Sequence, residues 1–243
     1  MPLDAESRLV LIRVKSKWAE KQLRNLAAEI LALQHTIVVE RDKNTGVAPH
    51  PITFMWGEGF PKVPTISFDA VCLAGDIIHN LRAALDHLAQ QLALIGCPTL
   101  TDKELRQIKF PIAETLTKYE ADKARKVRGM RPEAVEEIDR LKPYKDGNDA
   151  LWRIHELDNI DKHRTLFTCG PEIIFTSDWF NGVYHFKTDD PHFAGLEADV
   201  EKDIRLDIEK AEIGQANPPL LQSLHQLVYF VDSLILSFKP LLG

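Results

Sequence analysis

Apolar residues recur at a helical period across residues 75–92, G-D-I-I-H-N-L-R-A-A-L-D-H-L-A-Q-Q-L. At about 100° per residue, Ile77, Ile78, Leu81, Ala84, Leu85, Leu88 and Leu92 fall in one arc, which predicts a buried helix face. The opposite arc carries Asp76, His79, Asn80 and His87, with Arg82 and Asp86 on its shoulder and Ala83 between them. An ordinary solvent face is made of Lys, Glu and Gln, whereas this one is made of residues that orient ligands, transfer protons and bind anions or metals. Ser67 or Asp69 is the expected cap, and the helix runs to Ile95, where Gly96 ends it and Pro98 stops continuation.

The rest of the chain is read by the same alternation. Residues 16–35 form a first helix, with Trp18, Leu26, Ile30 and Leu33 at helical spacing. The β-branched run 36–41, the turn signal D-K-N-T-G and residues 52–56 predict a hairpin with a long loop. Thr101 with Glu104 predicts a capping box on a short helix. Residues 110–112 form an extended connector, and 117–127 and 132–141 form two short polar helices. A further helix, capped by Asn148 or Asp149, covers 150–167. Residues 172–176 and 183–187 then read as strands around an Asn181-Gly182 turn, and Ile204, Leu206 and Ile208 alternate with charges. A closing helix spans 220–238. The fold class expected is α+β, mainly α: a helical bundle core with short antiparallel strands before and after. One domain covers 1–243, with the helical core at about 67–168, a strand-containing region at about 172–213 and the closing helix at about 219–239.

Two of these helices share one chemistry. In L-W-R-I-H-E-L-D-N-I-D-K-H-R, His155, Asn159 and His163 stand four residues apart, on a face shared with Trp152 and Glu156. Apolar residues surround much of this helix, so its His and Asn need partners. The matching face of the central helix supplies Asp76, His79, Asn80 and His87, and the two faces are expected to pack together. The candidate site is therefore His79, Asn80, Arg82, His87, Asn159 and His163. Plainer readings stand beside it. Arg82–Asp86 and Asp158–Lys162 have the spacing of routine helix-surface ion pairs. A lone helical His is usually structural, as are His185 and His225, and Trp152 reads as core.

Composition narrows the class. The chain has 243 residues, enough to bury a core without disulfides. Its net charge of −6 carries no global footprint of nucleic-acid binding. A local exception is the cluster Lys118, Lys123, Arg125, Lys126, Arg128 and Arg131, which reads as a solvated face or an anion-binding surface. Cys72, Cys97 and Cys169 show no C-x-x-C spacing, which predicts reduced thiols in a cytoplasmic protein. No secretory h-region and no membrane span are predicted.

The pair of motifs H-N-L-R-A-A-L-D-H-L at 79–88 and N-I-D-K-H-R at 159–164 resembles a group of bacterial proteins that share both motifs and have no assigned activity. More distantly, Arg82-Ala-Ala-Leu-Asp-His87 resembles the R-x4-6-H motif of HEPN helical-bundle proteins. That resemblance implies a metal-independent endoribonuclease, commonly completed at a homodimer interface. Arg82 would stabilise the transition-state charge, and His87 would transfer protons around the ribose 2′-hydroxyl to leave a cyclic phosphate. RNA or another phosphodiester would be the ligand, no membrane would be involved, and no cofactor is called for. A second hypothesis is a metal-dependent hydrolase built on His79, His87 and Asp76 with His155 or His163. The third is a non-catalytic binding or accessory protein of bacterial defence type.

Overall fold

The computed structural model describes residues 3–36, 68–163, 169–177, 182–186, 203–208 and 220–243, with side chains for 3–32, 69–162 and 220–243. Seven α-helices lie among the described residues: α1 (Ala5–Thr36), α2 (Phe68–Gly96), α3 (Asp102–Leu105), α4 (Leu116–Lys126), α5 (Pro132–Arg140), α6 (Asp149–His163) and α7 (Leu220–Ser237). A 3-10 turn, Lys239–Leu242, follows the last. By compactness the chain divides into two units, one from Met1–Leu23, Leu73–Leu166 and Ser223–Gly243, the other from Arg24–Cys72 and Phe167–Gln222.

The first unit is helical. Its centre is α2, whose predicted apolar arc is buried throughout, with Ile77, Leu81, Ala84, Leu85 and Leu88 at 0% exposure. Each large aliphatic side chain so removed from water contributes roughly 1.5–3 kcal/mol of transfer free energy. Helix α1 packs along it and begins eleven residues earlier than its expected start at Ser16. The stripe is Leu9, Ile12, Ser16, Ala19 and Leu23, all buried at heptad-like spacing. A buried Ser in the stripe and the charges around it (Glu6, Arg8, Arg13, Lys15) conceal the period in the sequence. The start is capped by Asp4, whose carboxylate accepts from the Ser7 amide at 2.7 Å. Trp18, expected on the apolar face, is exposed, with the Lys21 ammonium 4.8 Å from its ring centre.

Polar contacts set the register of the helices. Arg8 donates to Gln91 at 2.6 Å, and Gln22 bridges Asp76 and Asn80 at 3.1 Å each, tying α1 to α2. Arg13 and Ser16 of α1 both donate to Asp232 of α7. Helix α6 approaches α2 at Gly75, where a Cβ would lie 2.6 Å from the Asp161 carboxylate. A larger residue at position 75 would have to turn the Asp161 side chain aside. The capping box is present, since the Thr101 amide donates to Glu104 at 3.0 Å and the Glu104 amide to Thr101 at 3.4 Å. Asn148 caps α6 by accepting from the Leu151 amide at 3.1 Å.

The α+β expectation is corrected. The first unit is helical and contains a single parallel bridge, Ala113 to Tyr144, and no strand among its described residues. The physical reason is that the apolar side chains of this unit are buried among its own helices and the connector after α3, which adds Ile108, Phe110 and Ile112. Among the described residues the strands fall in the second unit, where β1 (Cys169–Ser177) lies between β2 (Gly182–Phe186) and β3 (Asp203–Ile208). No strand precedes α2 among the described residues, because Thr36 closes α1 and the remainder of the expected hairpin lies outside them. The alternative cap Ser67, and residues 164–167 of the expected second helix, also lie outside. No described helix is long and apolar enough to cross a membrane.

Candidate functional site

Helices α2, α4 and α6 and the connector after α3 enclose a cleft of about 560 Å³. Arg82 and Asp86 enter it from α2, and Arg106, Gln107 and Lys109 from the connector. Asp122, Arg125 and Lys126 come from α4, and His155, Asp158, Asn159 and Lys162 from α6. Every lining side chain is polar. Six cations face three carboxylates, an excess of three positive charges with His155 neutral.

The floor is built by a clamp on one peptide unit. Asp86 accepts from the Phe110 amide at 2.9 Å, while Arg82 Nη2 donates to the Phe110 carbonyl at 2.9 Å. The same Nη2 is 2.9 Å from Asp86 Oδ1. Phe110 and Ile112 are buried on either side of Pro111, so the clamp seats the connector on α2. Arg82 is 6% exposed, and its other terminal nitrogen, Nη1, has no partner. Beside it, Lys126 is mostly buried and donates to the Ile112 carbonyl at 3.2 Å. Burial holds the Lys126 ammonium below its usual pKa, against the pull of Asp122.

His155 completes the interior. Its Nε2 lies 3.2 Å from the Asn159 amide nitrogen, a donor, so Nε2 accepts and the neutral ring carries its proton on Nδ1. That Nδ1 is buried and also lacks a partner. Burial, followed by the nearby Arg82 and Lys126 charges, pushes the His155 pKa down to about 4, with Asp158 opposing. The ring is neutral at pH 7. Arg82 and His155, which both line the cleft, thus each hold a buried donor without an acceptor. A third orphan, Arg153 Nε, lies elsewhere, 2.8 Å from the Asp149 carboxylate.

The residues expected to form the site are not all brought together. Arg82 and Asn159 line the cleft. His79 is half exposed and pairs with Asp158 at 3.1 Å without lining the cleft. Asn80 is buried but satisfied elsewhere, donating to Gln22 at 3.1 Å and to the Asp76 carbonyl at 2.7 Å. His87 is exposed and does not line the cleft. The His163 side chain lies outside the described residues. Of the expected pairing of Asp76, His79, Asn80 and His87 with α6, the contact of His79 with Asp158 is made. Asp76 and Asn80 turn instead to Gln22 of α1, because the wide apolar arc of α2 sends its polar residues to different neighbours.

Other residues change role. Asp158, read as half of a surface ion pair, is 3% exposed and joins Lys162, at 2.6 Å, to His79. Arg125 and Lys126, part of the basic cluster, line the cleft. Arg106, Gln107 and Lys109 were not singled out by any pattern. Their signal was weak, a charged R-Q-I-K preceding the apolar connector. No three His, Cys, Asp or Glu side chains come together as metal ligands among the described residues, which leaves the metal-dependent alternative without an assembled ligand set.

Compared with protein-family models, curated proteins and solved structures, the chain matches none.

Proposed function

We propose that the cleft binds a phosphate-bearing anion, with Arg82 and His155 as its buried donors. The observation that carries this reading is that Arg82 and His155, which both line one cleft, each hold a buried donor without an acceptor, Nη1 and Nδ1. A buried donor left unpaired costs about 1–3 kcal/mol, more when charged, and a ligand that supplies acceptors recovers it. The carboxylates in the lining do not supply them. Asp86 holds Arg82 Nη2 and the Phe110 amide, Asp122 faces Lys126 and Arg125, and Asp158 holds Lys162 and His79. A phosphate group has several acceptor oxygens in tetrahedral array and can meet both donors at once. Its charge also answers the positive excess better than a single carboxylate does.

The test is calorimetric titration of the full chain with inorganic phosphate and pyrophosphate at low ionic strength, alongside Arg82→Met. Binding by the wild type and loss of at least tenfold in the variant is the expected result. Absence of binding at millimolar concentration removes the reading.

A catalytic extension, metal-independent cleavage of an RNA phosphodiester, is favoured by a guanidinium and an imidazole in the same cleft. That imidazole is His155 and not His87, which is exposed. In excess EDTA, cleavage of a mixed RNA pool to cyclic-phosphate ends by the wild type, with an Arg82→Ala/His155→Ala variant leaving it intact, is the result that would establish the extension. Cleavage by both proteins, or by neither, refutes the extension and leaves binding to stand alone.

A further inference from the structure

We infer that the ligand of this cleft is a small polyphosphate, recognised through its phosphate groups alone and not through a base, sugar or apolar tail. The inference rests on the phosphate-binding reading and concerns what the rest of the cleft does.

The first observation is the chemistry of the lining. Pockets that recognise a nucleoside or a lipid do so through apolar and aromatic walls, with a few polar groups fixing orientation. Single-stranded nucleic acid is commonly held by aromatic rings under its bases. This cleft contributes no Phe, Tyr or Trp ring and no aliphatic or sulfur side chain to its lining. Trp152 lies in α6 against His155, with ring centres 5.8 Å apart, and is not part of the wall. Its planar groups are the His155 imidazole, bonded to Asn159, and arginine guanidiniums, which serve phosphates as well as bases.

The second observation is that the positive charge comes in two tiers. Arg82, at 6% exposure, and the mostly buried Lys126 form the inner one. Arg106 and Lys109 are exposed at the mouth and make no ion pair among the described residues. They are the cations in the lining whose charge no carboxylate balances. One phosphate, carrying about −1.5 to −2 at pH 7, does not neutralise the excess of three positive charges. A volume of about 560 Å³ also leaves most of the cleft to water around a single phosphate. A chain of two or three phosphates uses both tiers: one end against Arg82 and His155, the other against Arg106 and Lys109.

The experiment is titration of the full chain with inorganic phosphate, pyrophosphate, tripolyphosphate, ATP and a short single-stranded RNA with a 5′-hydroxyl. The dissociation constant is expected to fall about tenfold from phosphate to pyrophosphate and again, by less, to tripolyphosphate. ATP is expected within about threefold of tripolyphosphate, and RNA to be weaker than either. The exposed variants Arg106→Gln and Lys109→Gln are expected to weaken tripolyphosphate at least fivefold and inorganic phosphate less than twofold. Equal weakening of both ligands overturns the two-tier assignment. ATP more than tenfold tighter than tripolyphosphate, or RNA tighter than tripolyphosphate, overturns recognition by phosphates alone while the phosphate-binding reading survives. Failure of every probe to bind removes both.

Discussion

Two arginines of the helical unit, Arg13 and Arg82, face a similar demand and meet it differently. Arg13 on α1 donates Nε and Nη2 to the two oxygens of Asp232, at 3.0 and 2.7 Å. Ser16 adds a hydrogen bond at 3.0 Å, and Lys17 lies 3.4 Å from the same carboxylate. Burial alone would raise the Asp232 pKa, but the bonds from Arg13 and Ser16 hold it below its ordinary value. Fork meets carboxylate, and the charge is matched locally. Arg82 is more deeply buried yet less complete. One of its terminal nitrogens is shared between Asp86 and the Phe110 carbonyl, and the other points to no acceptor. Satisfied buried charge is what a helix–helix joint needs. Unsatisfied buried charge, next to a neutral imidazole with its own idle donor, is what the phosphate-binding proposal rests on.

The largest effect expected from separating the two is on the joint. Asp232→Ala strands Arg13 and Ser16, and should lower stability by about 2–3 kcal/mol, read from urea unfolding, because a partly buried cation loses its partner. Phosphate affinity, corrected for the folded fraction, is expected to be unchanged; a tenfold loss would show that the two arginines are not independent.

The pH response separates them next. His155 titrates near 4 when folded and near 6.5 when unfolded, so between those values the unfolded chain binds more protons. Stability then falls as pH drops from about 6.5 to 4, by about 2 kcal/mol for His155 alone. Asp232 acts in a lower window. Its folded pKa is depressed, so its contribution is present above the ordinary value of 3.8 and lost only as pH falls below it. Melting temperature followed against pH should show the first loss flattened in His155→Gln and by saturating phosphate, with the second unchanged. A wild-type curve flat between pH 6.5 and 4.5 would contradict the buried neutral His155.

A smaller stability effect, with a larger functional one, is expected at the clamp. Arg82→Met removes the bond to the Phe110 carbonyl and the pair with Asp86, but also removes an unpaired donor, for a net cost of about 1 kcal/mol. Thermal unfolding measures the cost, and phosphate titration is expected to register loss of binding. If Arg82→Met costs as much as Asp232→Ala while binding persists, Arg82 is a structural joint like Arg13. The smallest stability effect is at the mouth, where Arg106→Gln should change stability by less than about 0.5 kcal/mol. Thermal unfolding checks that figure.

Legibility in the sequence followed the number of neighbours each feature needs. The buried arc of α2, the Thr101–Glu104 capping box, the Asn148 cap and the closing helix depend on residues a few positions apart, and each is present in the structure. The beginning of α1 failed because a Ser occupies a buried stripe position, where only the Asp232 carboxylate 216 residues away makes it tolerable. The site was half legible. Arg82 and Asn159, two of the residues singled out on the two helices, line the cleft, but helical period cannot tell which polar side chain meets which neighbour. His79, Asn80 and His87 occupy one arc in projection, yet the first pairs with α6, the second with α1 and the third with none of the cleft residues.

From the sequence alone came the helices, their apolar faces and the presence of polar chemistry where solvent-facing Lys and Glu would be expected. Those are local properties, determined by period, caps and side-chain type. Tertiary structure alone decided that Arg82 would be buried with one hand empty, that His155 would be the imidazole beside it, and that Arg106, Lys109 and Lys126 would complete the charge. Burial and unpaired donors are properties of a packed interior. They arise when segments from residues 82 to 162 are brought around one cleft, and no spacing within a single helix records them.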